Sequence, residues 1–241
     1  MEAFEGYTEI SWDNGQLIYD ILLLALIILL SIFAFTFRTC YTLFEKMIRG
    51  LFSVKERQNL FDPPARESFF FNVFMGFQTL ILCAIFFFLA FSRIVKIQEQ
   101  GVGKAFILLA ILFILLILFY LLKRCLYFIY GRIFIDNVKL NLWNTSYHEL
   151  FYLWGVMLYL PVFWLILDRE RMVGSLIIFS INFILFRLSA IYVKVRIFYH
   201  KNNGFLFLNL YLCAQEIIPL LFLYESLTYL YNVIKTSILW Q

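Results

Sequence analysis

The residue with the clearest capacity for chemistry is Glu216, a carboxyl group inside the apolar segment 205–224. At 1.5 Å per residue it lies about 16 Å from the start of that segment, close to a membrane midplane. A carboxylate there is expected to be protonated, paired or hydrated, because burying an isolated charge is costly. Pro219 has no N–H and leaves the carbonyl of Gln215 without its helical partner. A carboxyl group beside a free carbonyl can hold a proton or a cation, or bind a neighbouring helix.

Two residues of the preceding apolar segment, 173–193, are candidate partners for this carboxyl group. Asn182 lies about 14 Å from the start of the segment, level with Glu216, so a hydrogen bond between the two is the first choice. Arg187 lies about 9 Å from the opposite end, and its long side chain is expected to reach the headgroups there. A pairing of Glu216 with Arg187 is therefore the second choice.

Small and polar residues repeat at helical spacing in three of the apolar segments. They are Asn72, Gly76, Thr79 and Cys83 in one, Ser175, Asn182 and Ser189 in another, and Asn209, Cys213 and Glu216 in the last. Such spacing places each set on one face of a helix. Small residues allow helices to approach closely, and amides bond across the contact. The stripes are therefore either packing seams or, together with Gln215 and Arg187, a polar path through the bundle.

Signals for catalysis are weak throughout the chain. His148 and Glu149 match half of a zinc-protease motif, but Tyr152 stands where the second histidine ligand is needed. His200 lies in a basic loop and is expected to contact headgroups. Ser175 has no histidine within any apolar segment to activate its hydroxyl. We expect no enzymatic activity, no cofactor and no metal site.

The composition explains where these residues must sit. Of the 241 residues, 63% are hydrophobic and 15% are charged, and mean hydropathy is +0.84. A soluble domain has about 45–50% apolar and about 25% charged residues. The composition excludes a soluble enzyme, a disordered tail and a nucleic-acid-binding module, and it indicates one membrane domain over residues 1–241 in contact with the bilayer. The four cysteines lie in or beside apolar stretches and are expected to be reduced thiols; they are Cys40, Cys83, Cys125 and Cys213.

Apolar runs of about 20 residues are the signature of membrane-spanning helices. The sequence predicts an all-α polytopic bundle with six spans, at 17–37, 69–91, 105–122, 150–167, 173–193 and 205–224. Short amphipathic segments at 42–54 and 125–140 are predicted to be helices at the membrane surface, where they would cover headgroups or bind a partner.

The basic residues predict the orientation of these spans. Loops 38–68, 123–149 and 187–204 hold 14 of the 20 Lys and Arg residues, against six in all other segments. Because Lys and Arg concentrate in cytoplasmic loops, these three loops are predicted to be cytoplasmic and both termini to lie on the other side.

The last predicted span resembles a known family. Cys213, Glu216 and Pro219 form a Cys-x-x-Glu-x-x-Pro pattern that is similar to that of the bacterial membrane family called domain of unknown function 4271. The chain also resembles its members in length and in the polar, Trp-containing segment before the first span. The resemblance implies the inner membrane of a bacterium that also has an outer membrane. In such a membrane, the orientation predicted from the basic residues makes both termini periplasmic. It implies no activity.

Two functions remain open from the sequence. The first is a non-enzymatic subunit or assembly factor of an envelope or protein-export complex, with other inner-membrane proteins as partners. The absence of catalytic sets and the two amphipathic segments favour it. The alternative is a small proton- or cation-coupled transporter that uses Glu216, Asn182 and Gln215.

Overall fold

The computed structural model of the chain describes residues 14–41, 44–45, 48, 65–95, 102–134, 137–168, 172–198 and 218–239. These residues form seven helices. They are α1 (Asn14–Thr39), α2 (Ala65–Val95), α3 (Val102–Phe134), α4 (Asn137–Met157), α5 (Tyr159–Leu167), α6 (Met172–Phe198) and α7 (Ile218–Leu239). The described part of the chain is therefore all-helical, as predicted.

Five stretches of these helices are long and apolar enough to cross a membrane. They are Gln16–Thr39, Phe70–Arg93, Val102–Tyr127, Trp143–Leu167 and Met172–Arg196. They contain the first five predicted spans except for residue 69, and α4 and α5 together make up the fourth. The chain is a multi-pass membrane protein with a bundle of helices.

The structure differs from the sequence prediction at the sixth span. Residues 205–217 of that span lie outside the described residues, and α7 continues from Ile218 to Leu239, well past the predicted end at residue 224. The described part of α7 is not among the five candidate spans. Tyr, Glu and Asn residues lower the hydropathy of this helix after residue 224. A span predicted from apolar residues therefore ends before the helix does.

Of the two segments predicted to lie on the membrane surface, 42–54 falls mostly outside the described residues; its described residues, 44–45 and 48, are helical. Segment 125–140 is divided between the end of α3 and the start of α4. Within it Tyr127 is only 4% exposed, because its ring packs inside the bundle against Trp143. Aromatic residues that the sequence suggests for a surface are used here for packing between helices.

A break between α4 and α5 divides the fourth span at Leu158. Its cause is Pro161, which has no N–H to donate to the carbonyl of Met157 four residues earlier. The N–H of Leu158 lies close to two carbonyls, at 3.1 Å from that of Trp154 and 3.2 Å from that of Gly155. The span therefore continues past the proline as a second short helix.

Helix α2 runs through the centre of the bundle and contacts α1, α3, α4, α5 and α7. One core cluster forms around its second half, where Phe86 stacks on Phe179 of α6 with ring centroids 4.1 Å apart. A second cluster forms around its first half and gathers aromatic residues of α3, α4 and α6. The aromatic cluster therefore packs around the first half of α2, and the more aliphatic cluster packs around its second half.

Candidate functional site

The polar stripe of α6 faces the proline break of the fourth span. The Asn182 side-chain amide donates to the carbonyl of Met157 at 3.1 Å, the same carbonyl that Pro161 leaves without a helical donor. Two helical turns earlier along α6, the fully buried Ser175 donates its hydroxyl to the carbonyl of Pro161 at 2.7 Å. Both side chains therefore satisfy backbone groups around the break. Ser189, the third member of the stripe, is exposed.

The polar residues predicted in the sixth span lie mostly outside the described residues. These are Asn209, Cys213, Gln215 and Glu216. Pro219 is described and lies buried in the first turn of α7. The Glu216–Asn182 and Glu216–Arg187 pairs therefore stay predictions. The structure adds that the amide nitrogen of Asn182 is already bonded to α4, and that the Arg187 guanidinium lies 5.0 Å from the ring centre of Phe183.

The residues of the polar stripe on α2 have different surroundings. Gly76 and Thr79 contact α4, and Asn72 lies on the outer surface of the bundle. A Cβ placed on Gly155 would overlap the hydroxyl of Thr79 and lie 2.9 Å from its Cβ, so the two helices touch closely there. A Cβ placed on Gly76 would lie 3.7 Å from the ring of Tyr152. Asn72, by contrast, is exposed.

The fourth member of this stripe, the buried Cys83, lines a cavity of about 230 Å³. Five helices contribute to its wall: α2, α3, α4, α6 and α7. Its apolar residues are Leu80, Cys83, Phe87, Leu116, Phe119, Phe151, Trp154, Phe179, Phe183, Phe186, Leu220 and Leu223. Two tyrosines and two cations complete it; they are Tyr120, Tyr147, Lys123 and Arg187. The described wall holds two positive charges and no carboxylate.

The cations of the wall lie at one end of the cavity. Lys123 is about 6 Å from the end of its span at Tyr127, and on the same helix Leu116 lies about 10 Å deeper. Arg187 lies on the same side, because α3 and α6 both run towards loops that the sequence predicts to be cytoplasmic. Phe179 lies about 12 Å deeper than Arg187 along α6. The site thus has a basic end and an apolar depth.

A cluster of two lysines and three aromatic rings borders the basic end. The Lys123 ammonium lies 4.8 Å from the ring centre of Tyr147 and 5.7 Å from that of Tyr127. The Lys194 ammonium lies 5.3 Å from the ring centre of Tyr127 and 5.0 Å from that of Trp143. Lys123 is 4% and Lys194 is 0% exposed. The negative faces of the rings stabilise these buried cations, and Tyr127 is shared by both.

His148 lies beside this cluster and contacts the cavity wall. Its Nδ1 is 3.2 Å from the hydroxyl of Tyr120, and its ring stacks on that of Tyr152. In the part of the chain that the structure describes, no three His, Cys, Asp or Glu side chains gather as a metal site would require. His148 is therefore held by aromatic neighbours in the described structure.

The sequence did not single out Lys123, Lys194 or Trp143 as members of a site. The two lysines counted only as loop charges, and Trp143 was given no role. One signal was present: each lysine lies next to or within an apolar run, with aromatic residues one helical turn away. Pro161 carried a clearer signal, since a proline inside a predicted span frees the carbonyl four residues before it.

Comparison with known families identifies the family of the chain. A profile described as "Domain of unknown function (DUF4271)" matches residues 22–227, which is most of the chain. The chain belongs to this family. The match covers the stripes, the cavity and the cation-aromatic cluster, and the family description assigns none of them a role. No curated protein and no solved structure matched the chain.

Proposed function

We propose that this membrane protein is a non-enzymatic subunit or assembly factor of an envelope or protein-export complex. The proposal places it in a bacterial inner membrane, with both termini periplasmic. Its partners would be other inner-membrane proteins whose helices contact this bundle.

The observation that carries the proposal is a polar stripe on the outward face of α7. Glu225, Tyr229, Asn232 and Thr236 follow one another at spacings of four, three and four residues, which places them on one face. All four are exposed, Tyr229 at 73%. The Glu225 carboxylate has no bonding partner in the described part of the chain.

The inner face of α7 fixes the depth of this stripe. Leu220 and Leu223 line the cavity beside Cys83 and Phe87 of α2, and Tyr231 packs near Phe91 further along the same helix. Helix α7 therefore runs alongside the second half of a membrane span. Glu225 lies between these contacts and therefore at the depth of the bilayer, whereas Asn232 and Thr236 lie beside and beyond the end of that span at Arg93.

A carboxylate facing lipid at that depth is costly, and an amide near the end of the span is less so. Covering them with polar side chains of another protein removes this cost, and interhelical hydrogen bonds of this kind contribute about 0.6–2 kcal/mol each. We infer that the stripe is the contact surface for a partner helix. Large apolar side chains are exposed on the outer faces of α1, α2, α3 and α6, and they suit lipid.

The cation-coupled form of the transporter hypothesis has less support. The charged side chains of the described cavity wall are Lys123 and Arg187, and neither has an acceptor atom that could bind a cation. Toward the other end of the bundle, Leu82, Leu112 and Leu165 are all fully buried in apolar packing. A carrier would depend on Glu216, so Glu216→Gln would abolish its turnover in a folded protein.

The decisive experiment is purification of the tagged full chain from native membranes in a gentle detergent, followed by mass spectrometry. We expect a stoichiometric membrane complex. Glu225→Leu with Asn232→Leu should release the partner and leave the protein folded, since both changes favour lipid. Phe35→Ala on the exposed face of α1 is the matched control and should keep the partner.

Recovery of the wild-type protein alone, as a monomer or a homo-oligomer, would overturn the subunit proposal. Equal recovery of the partner with the α7 variant would overturn the assignment of the contact surface. In the first case a transport assay with Glu216→Gln becomes the next test.

A further inference from the structure

We propose that the cavity between α2, α3, α4, α6 and α7 binds the ring of an uncharged quinone-type molecule dissolved in the bilayer. The flat ring would lie among the aromatic side chains of the wall, and one of its carbonyl oxygens would accept the indole N–H of Trp154. This inference does not depend on the partner that α7 is proposed to bind.

The indole N–H of Trp154 is a buried donor without an acceptor in the part of the chain that the structure describes. Trp154 belongs to the cavity wall. It lies about 16 Å along the fourth candidate span from Trp143, which is well inside the membrane. The bilayer core supplies no water at that depth, so a buried donor there needs an acceptor from the protein or from a ligand. A ligand with a carbonyl oxygen in the cavity can supply it.

The neighbours of this indole are aromatic rings that also belong to the wall. It stacks on the ring of Phe186, with ring centroids 5.1 Å apart and planes at 21°. The ring centroids of Phe151, Phe183 and Phe179 lie 6.0, 6.2 and 6.4 Å from that of the indole. The N–H therefore lies among the rings that enclose the cavity.

The flat faces of the wall favour a planar ligand over a chain. The rings of Phe179 and Phe183 are nearly parallel, with planes at 9°. Tyr120 stacks on Phe151 with planes at 29°. Such rings bind a further ring in offset-stacked or edge-to-face arrangements. An acyl chain would fill the same space but would use neither the ring faces nor the indole N–H, whereas a planar ring with a carbonyl group uses both.

The volume of the cavity, about 230 Å³, is suited to a ring system. An apolar cavity of about 150 Å³ binds benzene, so this one has room for two fused rings. It is smaller than the roughly 300–1,000 Å³ of sites that enclose a whole drug-sized ligand. An isoprenoid or alkyl tail on the ring would therefore remain in the bilayer.

The two cations of the wall are compatible with an uncharged ligand. The Lys123 ammonium lies 4.8 Å from the ring centre of Tyr147, and the Arg187 guanidinium lies 5.0 Å from that of Phe183. Aromatic faces therefore stabilise both charges within the bundle. A neutral ring adds no further charge to the membrane interior, where an uncompensated charge is costly.

The test uses the purified full chain in a neutral detergent, and thermal unfolding is followed as the probe is added. The first probe is dimethylnaphthoquinone with both methyl groups on the quinone ring, which blocks its reaction with thiols such as that of Cys83. The second is dimethylnaphthalene, which has the same rings and no carbonyl oxygen. We expect the quinone to raise the unfolding temperature in a saturable way. It should bind about fivefold more tightly than the hydrocarbon, because it gains one hydrogen bond.

Variants separate the hydrogen bond from the space that the rings occupy. Trp154→Phe keeps an aromatic ring and removes the N–H, so it should weaken quinone binding about fivefold and leave hydrocarbon binding unchanged. Trp164→Phe is the matched control, because Trp164 is 41% exposed on α5 and outside the wall. It should keep the preference for the quinone. Cys83→Leu adds volume to the wall and should weaken the binding of both probes.

Four results would overturn the proposal. The first is equal affinity of the wild-type protein for the quinone and the hydrocarbon. The second is an unchanged preference for the quinone in Trp154→Phe. The third is unchanged binding of both probes by Cys83→Leu, which also serves as the test if the Trp154 variant does not fold. The fourth is displacement of the quinone by dioleoyl phosphatidylcholine, which would assign the cavity to a lipid chain.

Discussion

Asn182 donates its side-chain amide to the carbonyl oxygen of Met157, on the neighbouring span, at 3.1 Å. This is the carbonyl that Pro161 leaves without a donor, so a polar residue of α6 compensates for a proline of α5. Together with the bond from Ser175 to the carbonyl of Pro161, it ties α6 to the break in the fourth span. A polar side chain within the membrane thus has a structural role that its sequence position alone did not reveal.

Replacing Asn182 with Leu should lower the free energy of unfolding by about 0.6–2 kcal/mol, because one interhelical hydrogen bond is lost. In a Pro161→Ala background the new N–H can bond to Met157, so the same replacement should lower it less. SDS titration of the four proteins of this double-mutant cycle measures the difference. Equal losses in both backgrounds would show that the Asn182 bond does not compensate for the proline.

Replacing Gly155 with Ala should force α2 and α4 apart, since the added Cβ overlaps the hydroxyl of Thr79. Overpacking of this kind lowers stability by about 1–3 kcal/mol. Gly103→Ala is the matched control, because nothing lies within 4 Å of its added Cβ. Thr79→Ala should restore part of the loss in the Gly155→Ala protein. Thermal unfolding in detergent tests this, and equal stability of the two glycine variants would contradict the close contact.

Replacing Phe86 with Ala should lower the free energy of unfolding by about 3–5 kcal/mol, because it leaves a large cavity and removes the stacked pair with Phe179. Phe35 is 72% exposed on α1, so Phe35→Ala creates no cavity and should change stability by less than about 0.5 kcal/mol. SDS titration of both variants provides the comparison. Similar losses would place Phe86 outside the core.

Labelling of single cysteines should show the proposed orientation. Cys125 is exposed near the end of the third span, at Tyr127, that is predicted to face the cytoplasm. With the other three cysteines replaced by Ser, an impermeant maleimide should label it in inverted vesicles and not in intact spheroplasts. A cysteine in place of Val173, exposed at the start of α6, should show the reverse. The opposite pattern for both positions would invert the proposed topology.

Much of the architecture was predictable because it depends on local chemistry. Runs of Leu, Ile and Phe require lipid, and hydrogen bonds within each segment make a helix the way to cross it. The first five spans could therefore be located. The predicted fourth span starts at residue 150, later than the candidate span, which starts at Trp143. Trp143, Tyr147 and His148 lower the hydropathy of the sequence there, although their side chains pack between helices.

The candidate site was predictable only in part. Helical periodicity placed Ser175 and Asn182 on one face of α6, and that face does form contacts. It could not indicate that the face lies against Pro161, nor that Lys123 and Lys194 share the ring of Tyr127. Those relationships join residues distant in the chain, and they depend on which helices pack side by side.

The sequence by itself determined the class of protein, the main spans and the faces of the helices, because composition and periodicity are properties of neighbouring residues. Only the tertiary structure decided which faces meet, where two cations border an apolar cavity and which stripe of α7 points outward. The physical reason is that apolar side chains pack equally well against lipid and against other helices. Close contacts such as Thr79 against Gly155, and polar groups that need partners, select one arrangement of the bundle.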